Sequence, residues 1–439
     1  MTAIVFAPAS SAPDNATCSA RSDCESARRE PPIPTTVTVM RPPYELQRAG
    51  GQDLSHRYLP TGSVLAMASL VQSVPLRWQA RVLQALFALP RPVRRLIAGA
   101  PIRIDGQTLD LDAQLLLRMQ QLSGTELHGT DVKQARAAIR AGRELVGGAP
   151  IEPVTTKDLQ LPNDIPARLY RPGDLPEGSP LLVFFHGGGF AIGDIDSHDH
   201  LCRFLARNAG VRVLSVGYRL APEDPFPAAV DDCVTAFKWA AAEATSLGAD
   251  PKLIALGGDS AGGNLAAVTA LQVGTGNPRP VFLLLLYPTV DATTRRRSRE
   301  LFGYGYFLTD TGMDWFMERY VPDPETRSDP RVSPLLAEDL SALPPTYIAT
   351  AGFDPLRDEG ELFARRVAEA GVPVVLRRHE GLFHGFASMT GVGHAFKEAT
   401  LEAASALRTG LAIGRNGRPR RKSVNAEELN GYPVGSWLS

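Results

Sequence analysis

Three things are scarce in this sequence of 439 residues, and each scarcity closes off a class of molecule. Net charge is nearly absent: 46 lysines and arginines face 47 aspartates and glutamates, so no whole-molecule field draws the chain to nucleic acid or another polyanion. Cysteine is rare, with Cys18 and Cys24 in a poorly patterned leader and Cys202 and Cys233 in segments that read as helical. Their spacing fits neither a disulfide framework nor a zinc site, so free thiols, two of them core filler, and a reducing compartment are expected. Long apolar runs are missing too. No stretch approaches the roughly 18 residues that span a bilayer, and the N-terminus has no basic region followed by a long apolar run. A cytoplasmic location is the expectation, and no internal repeat suggests a solenoid.

What is present is the balance of a globular protein, 44% apolar and 21% charged, with enough chain for one large core and additions. Residues 1–62 mix Ser, Pro, Arg and Asp without periodicity and read as a flexible extension. Over residues 63–150 the pattern is helical. Trp78, Val82, Leu86 and Leu89 recur at helical spacing, as do Leu111, Leu115, Met119 and Leu122. The first set carries Arg77, Arg81, Arg91, Arg94 and Arg95, which would suit a membrane surface, but packing against the protein's own body is the reading adopted.

Residues 151–413 alternate strand, loop and helix. The strands expected are Ala167–Tyr170, Leu181–Phe185, Val211–Val216, Leu253–Leu256, Val281–Leu286, Thr346–Ala349 and Val374–Arg378, several of them continuous apolar runs. Such runs belong to a mainly parallel, doubly wound α/β sheet covered by helices on both faces, where ligands bind beyond the carboxyl ends of strands. Residues 291–343 interrupt the rhythm and read as an inserted cap element, which would roof the site together with the helices before it. Residues 414–439, with Arg418, Arg420, Arg421 and Lys422, read as a disordered basic tail.

Chemistry concentrates in the loops after strands. Gly258-Asp259-Ser260-Ala261-Gly262 sits between a strand and a helix, the G-x-S-x-G elbow in its required context. The glycines leave room in a sharp turn that pushes Ser260 outward as a nucleophile, and the following helix aims its positive end at the serine. His186-Gly187-Gly188-Gly189 ends the strand Leu181–Phe185. The amides of Gly187 and Gly188, with that of Ala261, are expected to bind an oxyanion, and His186 to orient the loop through its imidazole.

The general base should come from a loop beyond a late strand. His384, flanked by Gly381 and Gly385, fits better than His379, which closes a strand, or His394, which begins the last helix. The carboxylate that orients it is expected to be Asp354, first beyond the strand Thr346–Ala349. Asp358 is the rival, one helical turn further on, where it would pair with Arg357 or Arg365 or cap the helix, and Glu380 is a third choice. Two other charged clusters stand outside these motifs. Asp194, Asp196, His198, Asp199 and His200 lack the spacing of a metal site and read as a solvated loop and helix start. Arg295, Arg296, Arg297 and Arg299 read as a solvated loop as well.

Together His186-Gly187-Gly188-Gly189, Tyr218-Arg219-Leu220-Ala221-Pro222-Glu223, Gly258-Asp259-Ser260-Ala261-Gly262-Gly263, Asp354-Pro355-Leu356 and His384-Gly385-Phe386 resemble the hormone-sensitive-lipase-like branch of the α/β-hydrolases. The resemblance implies an N-terminal helical cap, no cofactor, a small-molecule ester as partner, and hydrolysis of short- to medium-chain acyl esters. It also implies that Glu223 and Asp259 support the elbow and glycine loop rather than react. Lipase, deacetylase or lactonase activity would use the same residues. A ligand-binding protein on the same scaffold, as in plant gibberellin receptors, is disfavoured because His384 is present.

Overall fold

The computed structural model describes residues 3–6, 75–123 and 131–415. Most of the expected leader and the basic tail from residue 416 onward therefore lie outside the described residues. Nine strands make one sheet: β1 (Ala3–Phe6), β4 (Val154–Leu161), β5 (Ile165–Pro172), β6 (Ser179–Phe185), β7 (Arg212–Val216), β8 (Ala249–Asp259), β9 (Phe282–Leu286), β10 (Thr346–Phe353) and β11 (Val374–Phe383). The two-residue strands β2 (Arg103–Ile104) and β3 (Gln107–Thr108) form a separate small hairpin. The order across the large sheet is β1-β11-β10-β9-β8-β6-β7-β5-β4, and the block from β11 to β7 is parallel throughout.

All seven strands expected from apolar runs are present. Their residues explain why: along β6, Leu181, Val183 and Phe185 enter the core on one face, while Leu182 and Phe184 enter the core on the other. Besides the small hairpin β2–β3, two strands of the large sheet were not expected. β4 is an edge strand with one mate, β5, and most of its residues are exposed, so Val154-Thr155-Thr156-Lys157-Asp158 carries no apolar run to announce it. β1 corrects the reading of residues 1–62 as wholly without structure, since Ala3–Phe6 pairs antiparallel with Val374–Arg377.

Helices cover both faces. They are α1 (Leu76–Phe87), α2 (Arg91–Ala98), α3 (Leu111–Ser123), α4 (Val132–Gly147), α5 (Asp199–Ala209), α6 (Ala228–Ala242), α7 (Ala261–Val273), α8 (Arg297–Phe302), α9 (Asp310–Tyr320), α10 (Arg357–Glu369) and α11 (His394–Arg415). Cys202 in α5 and Cys233 in α6 are free and buried, as core filler should be. The packing expected for the first helical stripe needs correcting. Leu83, Leu86 and Phe87 of α1 lean on the body, whereas Trp78 and Val82 stay 49% and 68% exposed. The second stripe behaves as read, with Leu111 and Leu115 buried in α3.

What positions the site is the switch in strand order. β6 lies between β7 on one side and β8 on the other, so the loops leaving β6 and β8 diverge and open a crevice at their carboxyl ends. The loop after β6 begins with His186, and β8 runs directly into Ser260.

Candidate active site

Ser260 occupies the turn between β8 and α7 with φ 54° and ψ −119°, a conformation that costs a non-glycine residue free energy and persists only where its surroundings hold it. Gly258 and Gly262 make it possible. A Cβ on Gly262 would collide with the carbonyl of Phe185 and lie 2.6 Å from that of His186, and one on Gly258 would strike Gly262 itself. The first turn of α7 therefore packs hard against the end of β6 and against Gly258 of β8, and only glycine fits. Backbone bonds fix the turn, with the Ser260 N–H donating to Leu286 O at 2.8 Å.

His384 follows β11, and its Nε2 stands 2.9 Å from Ser260 Oγ. Its Nδ1 lies 2.8 Å from Asp354 Oδ2, while Asp354 Oδ1 accepts from the Leu356 N–H at 2.8 Å. Asp354 is wholly buried at the end of β10 and His384 is 6% exposed, so this hydrogen-bonded line sits in a medium where water competes weakly. The edge of the Tyr287 ring packs on His384 with centroids 4.9 Å apart. The rival carboxylate, Asp358, instead accepts from the Ser298 N–H at 2.8 Å and pairs with Arg357 at 2.9 Å. His379 lies inside β11 against Phe386, and burial pushes its imidazole down to about 4.

The glycine loop departs from expectation at one residue. Gly187 was expected to offer its N–H to an oxyanion, but that N–H donates to Asp259 Oδ1 at 2.8 Å. Gly188 and Gly189 line the cavity in front of Ser260, and Gly187 does not. Their positive φ angles, 127° and 56°, are the reason the loop can turn inward. Ala261, the first residue of α7, is buried behind Ser260, and its N–H belongs to the helical turn that lacks intrahelical acceptors.

Behind the loop lies a buried polar layer. His186 is 1% exposed, its Nδ1 lies 3.0 Å from Gly187 O, and its ring stacks on Tyr218 at 4.3 Å. Burial, with His198 nearby, pushes its imidazole down to about 4. Tyr218 donates to His186 O at 2.6 Å. Burial works against a charged Asp259, yet His198, Arg143 and the Gly187 amide outweigh it and hold the carboxyl down to about 2. Glu223 departs from what the resemblance implied. It is half-exposed and pairs with Arg136 of α4 at 2.7 Å, so its link to the glycine loop is indirect. Arg136 makes the link, donating to Ala191 O at 2.9 Å and Ala221 O at 3.0 Å.

His198 was missed. Read as part of a solvated run, it is 1% exposed with Nε2 3.3 Å from Asp259 Oδ1 and Nδ1 3.0 Å from Ser197 Oγ. Its density of titratable neighbours was visible in the sequence, but nothing in their spacing says which one turns inward. Among the described residues no group of three or more His, Cys, Asp or Glu side chains converges as a metal site. The arginine run was also misread as solvated. Arg295 and Arg299 both bind Asp310 and Asp314, Arg296 binds Asp291 at 2.5 Å, and Arg297 reaches Asp105 at 3.3 Å. These pairs hold α8 and α9 over the site rather than leaving them loose.

In front of Ser260 is a cavity of about 220 Å³. Its walls combine Ser260 and His384 with Ile139 and Arg143 of α4 and with Phe316 and Met317 of α9.

A family profile described as the α/β-hydrolase fold matches residues 182–388. The carboxylic ester hydrolase LipN of Mycobacterium tuberculosis is 46% identical over 337 residues, covering 74% of this chain and 89% of that protein. The chain belongs to the α/β-hydrolase family. Within it the chain falls in the hormone-sensitive-lipase-like branch. An ethyl acetate hydrolase of Pseudomonas putida is 38% identical over 296 residues, covering 65% of this chain and 92% of that one. Among solved structures, an α/β-hydrolase enzyme from the metagenome of Lake Arreo superposes with a TM-score of 0.65 at 39% identity, over 69% of this chain and 99% of that one. A thermostable esterase from Pseudomonas putida gives a TM-score of 0.66 at 34% identity, over 69% and 98%. No helix among the described residues of this α/β-hydrolase is long and apolar enough to cross a membrane.

Proposed function

We propose that this chain, a carboxylic ester hydrolase of the α/β-hydrolase family, cleaves short- to medium-chain acyl esters through an acyl-enzyme on Ser260. The observation that carries the proposal is the continuous line from Ser260 Oγ to His384 Nε2 at 2.9 Å and from His384 Nδ1 to Asp354 Oδ2 at 2.8 Å. As Ser260 Oγ bonds to the ester carbonyl carbon, its proton passes to His384 Nε2 and the carbonyl π electrons move onto oxygen. Asp354 holds the ring tautomer and stabilises the imidazolium. The oxyanion is received by the amides of Gly188, Gly189 and Ala261, each such donor being worth on the order of 10²–10³ in rate. His384 then returns its proton to the leaving alcohol as the C–O bond breaks. Water attacks the acyl-enzyme through the same base and frees Ser260.

Residues 131–147 and 291–343 act in this reading as a cap, since both supply walls to the cavity over Ser260. The cavity volume of about 220 Å³ lies below the ~300–1,000 Å³ usual for drug-sized ligands, which favours small esters over triacylglycerols. The relative named for ethyl acetate hydrolysis points the same way.

A series of p-nitrophenyl esters of rising acyl length, run with the intact protein and with Ser260→Ala, tests this. The expected result is an optimum at short chains and a loss of kcat on the order of 10⁴–10⁶-fold in the variant. Equal turnover by the two proteins would remove Ser260 from the mechanism, and an optimum at long chains would overturn the substrate class.

A further inference from the structure

Four arginines and three aspartates line the cavity, and they do not balance pair by pair. Asp314 is bound by both Arg295 and Arg299, at 2.6 and 2.5 Å. Asp291 is bound by Arg296. Asp259 gives Oδ1 to the Gly187 amide and lies 3.3 Å from His198, with Arg143 contributing to its field. Arg327 is left over. Its side chain makes no ion pair or hydrogen bond with any described residue, and its Nε is buried without an acceptor. Arg143 has both Nε and Nη1 buried without acceptors, although Asp259 offsets part of its charge.

A guanidinium carries five N–H donors in a rigid fork and cannot shed its charge, so its geometry suits a carboxylate held by two parallel hydrogen bonds. Arg327 comes from the turn Pro324–Ser328 and Arg143 from the fourth turn of α4, yet both face the space in front of Ser260. Ile139, Phe190, Phe316 and Met317 supply apolar wall beside them. That combination, a short apolar passage with uncompensated positive charge, matches an ester that also bears a carboxylate.

Resting on Ser260 as nucleophile, we infer that Arg327, supported by Arg143, forms a subsite for a carboxylate on the substrate. This hydrolase then prefers half-esters of dicarboxylic acids, or acyl esters of short hydroxy acids, to neutral esters of the same length. The shared chemistry is the remote carboxylate, and the side of the ester that carries it is read by two arms of one experiment. The first arm compares the p-nitrophenyl esters of glutaric and pentanoic acids. The second compares release of acetate from 4-acetoxybutanoate and from 4-acetoxybutanamide.

In at least one arm the anionic ester is expected to exceed its neutral counterpart in kcat/KM by about 10–100-fold, chiefly through KM. Added salt should shrink that ratio. Arg327→Gln should bring it close to one, Arg143→Gln should lower it, and Arg327→Glu should invert it. Glutarate should compete with the neutral ester in the unaltered protein at concentrations where glutaramide does not, a readout that needs no variant. Neutral esters cleaved as well as anionic ones in both arms, or a ratio unchanged in Arg327→Gln, would overturn the subsite alone. Failure to cleave any ester would overturn the nucleophile along with it.

Discussion

At the scale of single residues, the site depends on where a side chain is forbidden as much as on where one acts. Gly262 sits under the carbonyls of Phe185 and His186, which belong to β6 and to the start of the glycine loop. Backbone cannot rotate aside as a flexible side chain can. Gly262→Ala is therefore expected to lose at least about 3 kcal/mol of stability, read from urea unfolding. A variant as stable as the parent would mean that the first turn of α7 does not lie as close to the end of β6 as described. Asp354→Asn tests a different kind of dependence. It keeps the shape but offers an N–H donor to the ring, so kcat should fall on the order of 10⁴-fold with the fold intact. That Ser260, His384 and Asp354 meet in one hydrogen-bonded line was legible in the sequence, because each follows a recognisable strand. The partner of the Gly187 N–H was not, because three adjacent glycines look alike until Asp259 is seen to claim the first N–H. His198 was hidden for the same reason: its importance comes from facing a carboxylate distant in sequence.

At the scale of elements, the glycine loop is held from outside by α4. Arg136 donates to Ala191 O and Ala221 O and pairs with Glu223, so a single side chain ties the helix to the two segments that frame the loop. Arg136→Met should keep most of the stem's packing while releasing those bonds. The expected outcome is a fall of about tenfold in kcat/KM with a shift in melting temperature of a few degrees at most. Glu223→Gln should do much less, because an ion pair with a half-exposed carboxylate is worth little. Equal losses in the two variants would place the restraint in the ion pair rather than in the carbonyl contacts. The elements themselves were unequally legible. β6, β9 and β10 are buried on both faces and advertise themselves as apolar runs. β4 has one mate and a mostly exposed face, and α8 and α9 are fixed by ion pairs, Arg299 with Asp310 and Asp314 between them and Arg297 with Asp105, so apolar periodicity could not place either.

At the scale of the whole molecule, near-neutral net charge makes the pH dependence of stability a matter of a few buried groups rather than of general repulsion. Glu359 of α10 is 3% exposed, and its Oε1 accepts from the Val290 N–H at 2.8 Å and the Asp291 N–H at 3.3 Å. Burial pushes its carboxyl up from 4.5 to about 8; the Val290 amide opposes that rise, and the charge of Asp291 adds to it. A carboxyl whose folded value is raised binds its proton more tightly when folded. Its contribution to stability is complete below pH 4.5 and is lost as pH climbs towards 8. His186, pushed down to about 4, acts in the opposite sense, losing its contribution as pH falls from 6.5 towards 4. The two partly cancel between pH 4.5 and 6.5, so the wild-type curve alone does not separate them. Glu359→Gln does, because the amide oxygen still accepts from Val290 and Asp291 but has no proton to lose. Relative to this variant, the parent should weaken steadily from pH 5 to pH 8, measured as the difference in unfolding free energy at each pH. A constant difference across that range would mean that Glu359 is charged in the folded protein throughout, held by the two amides against its burial.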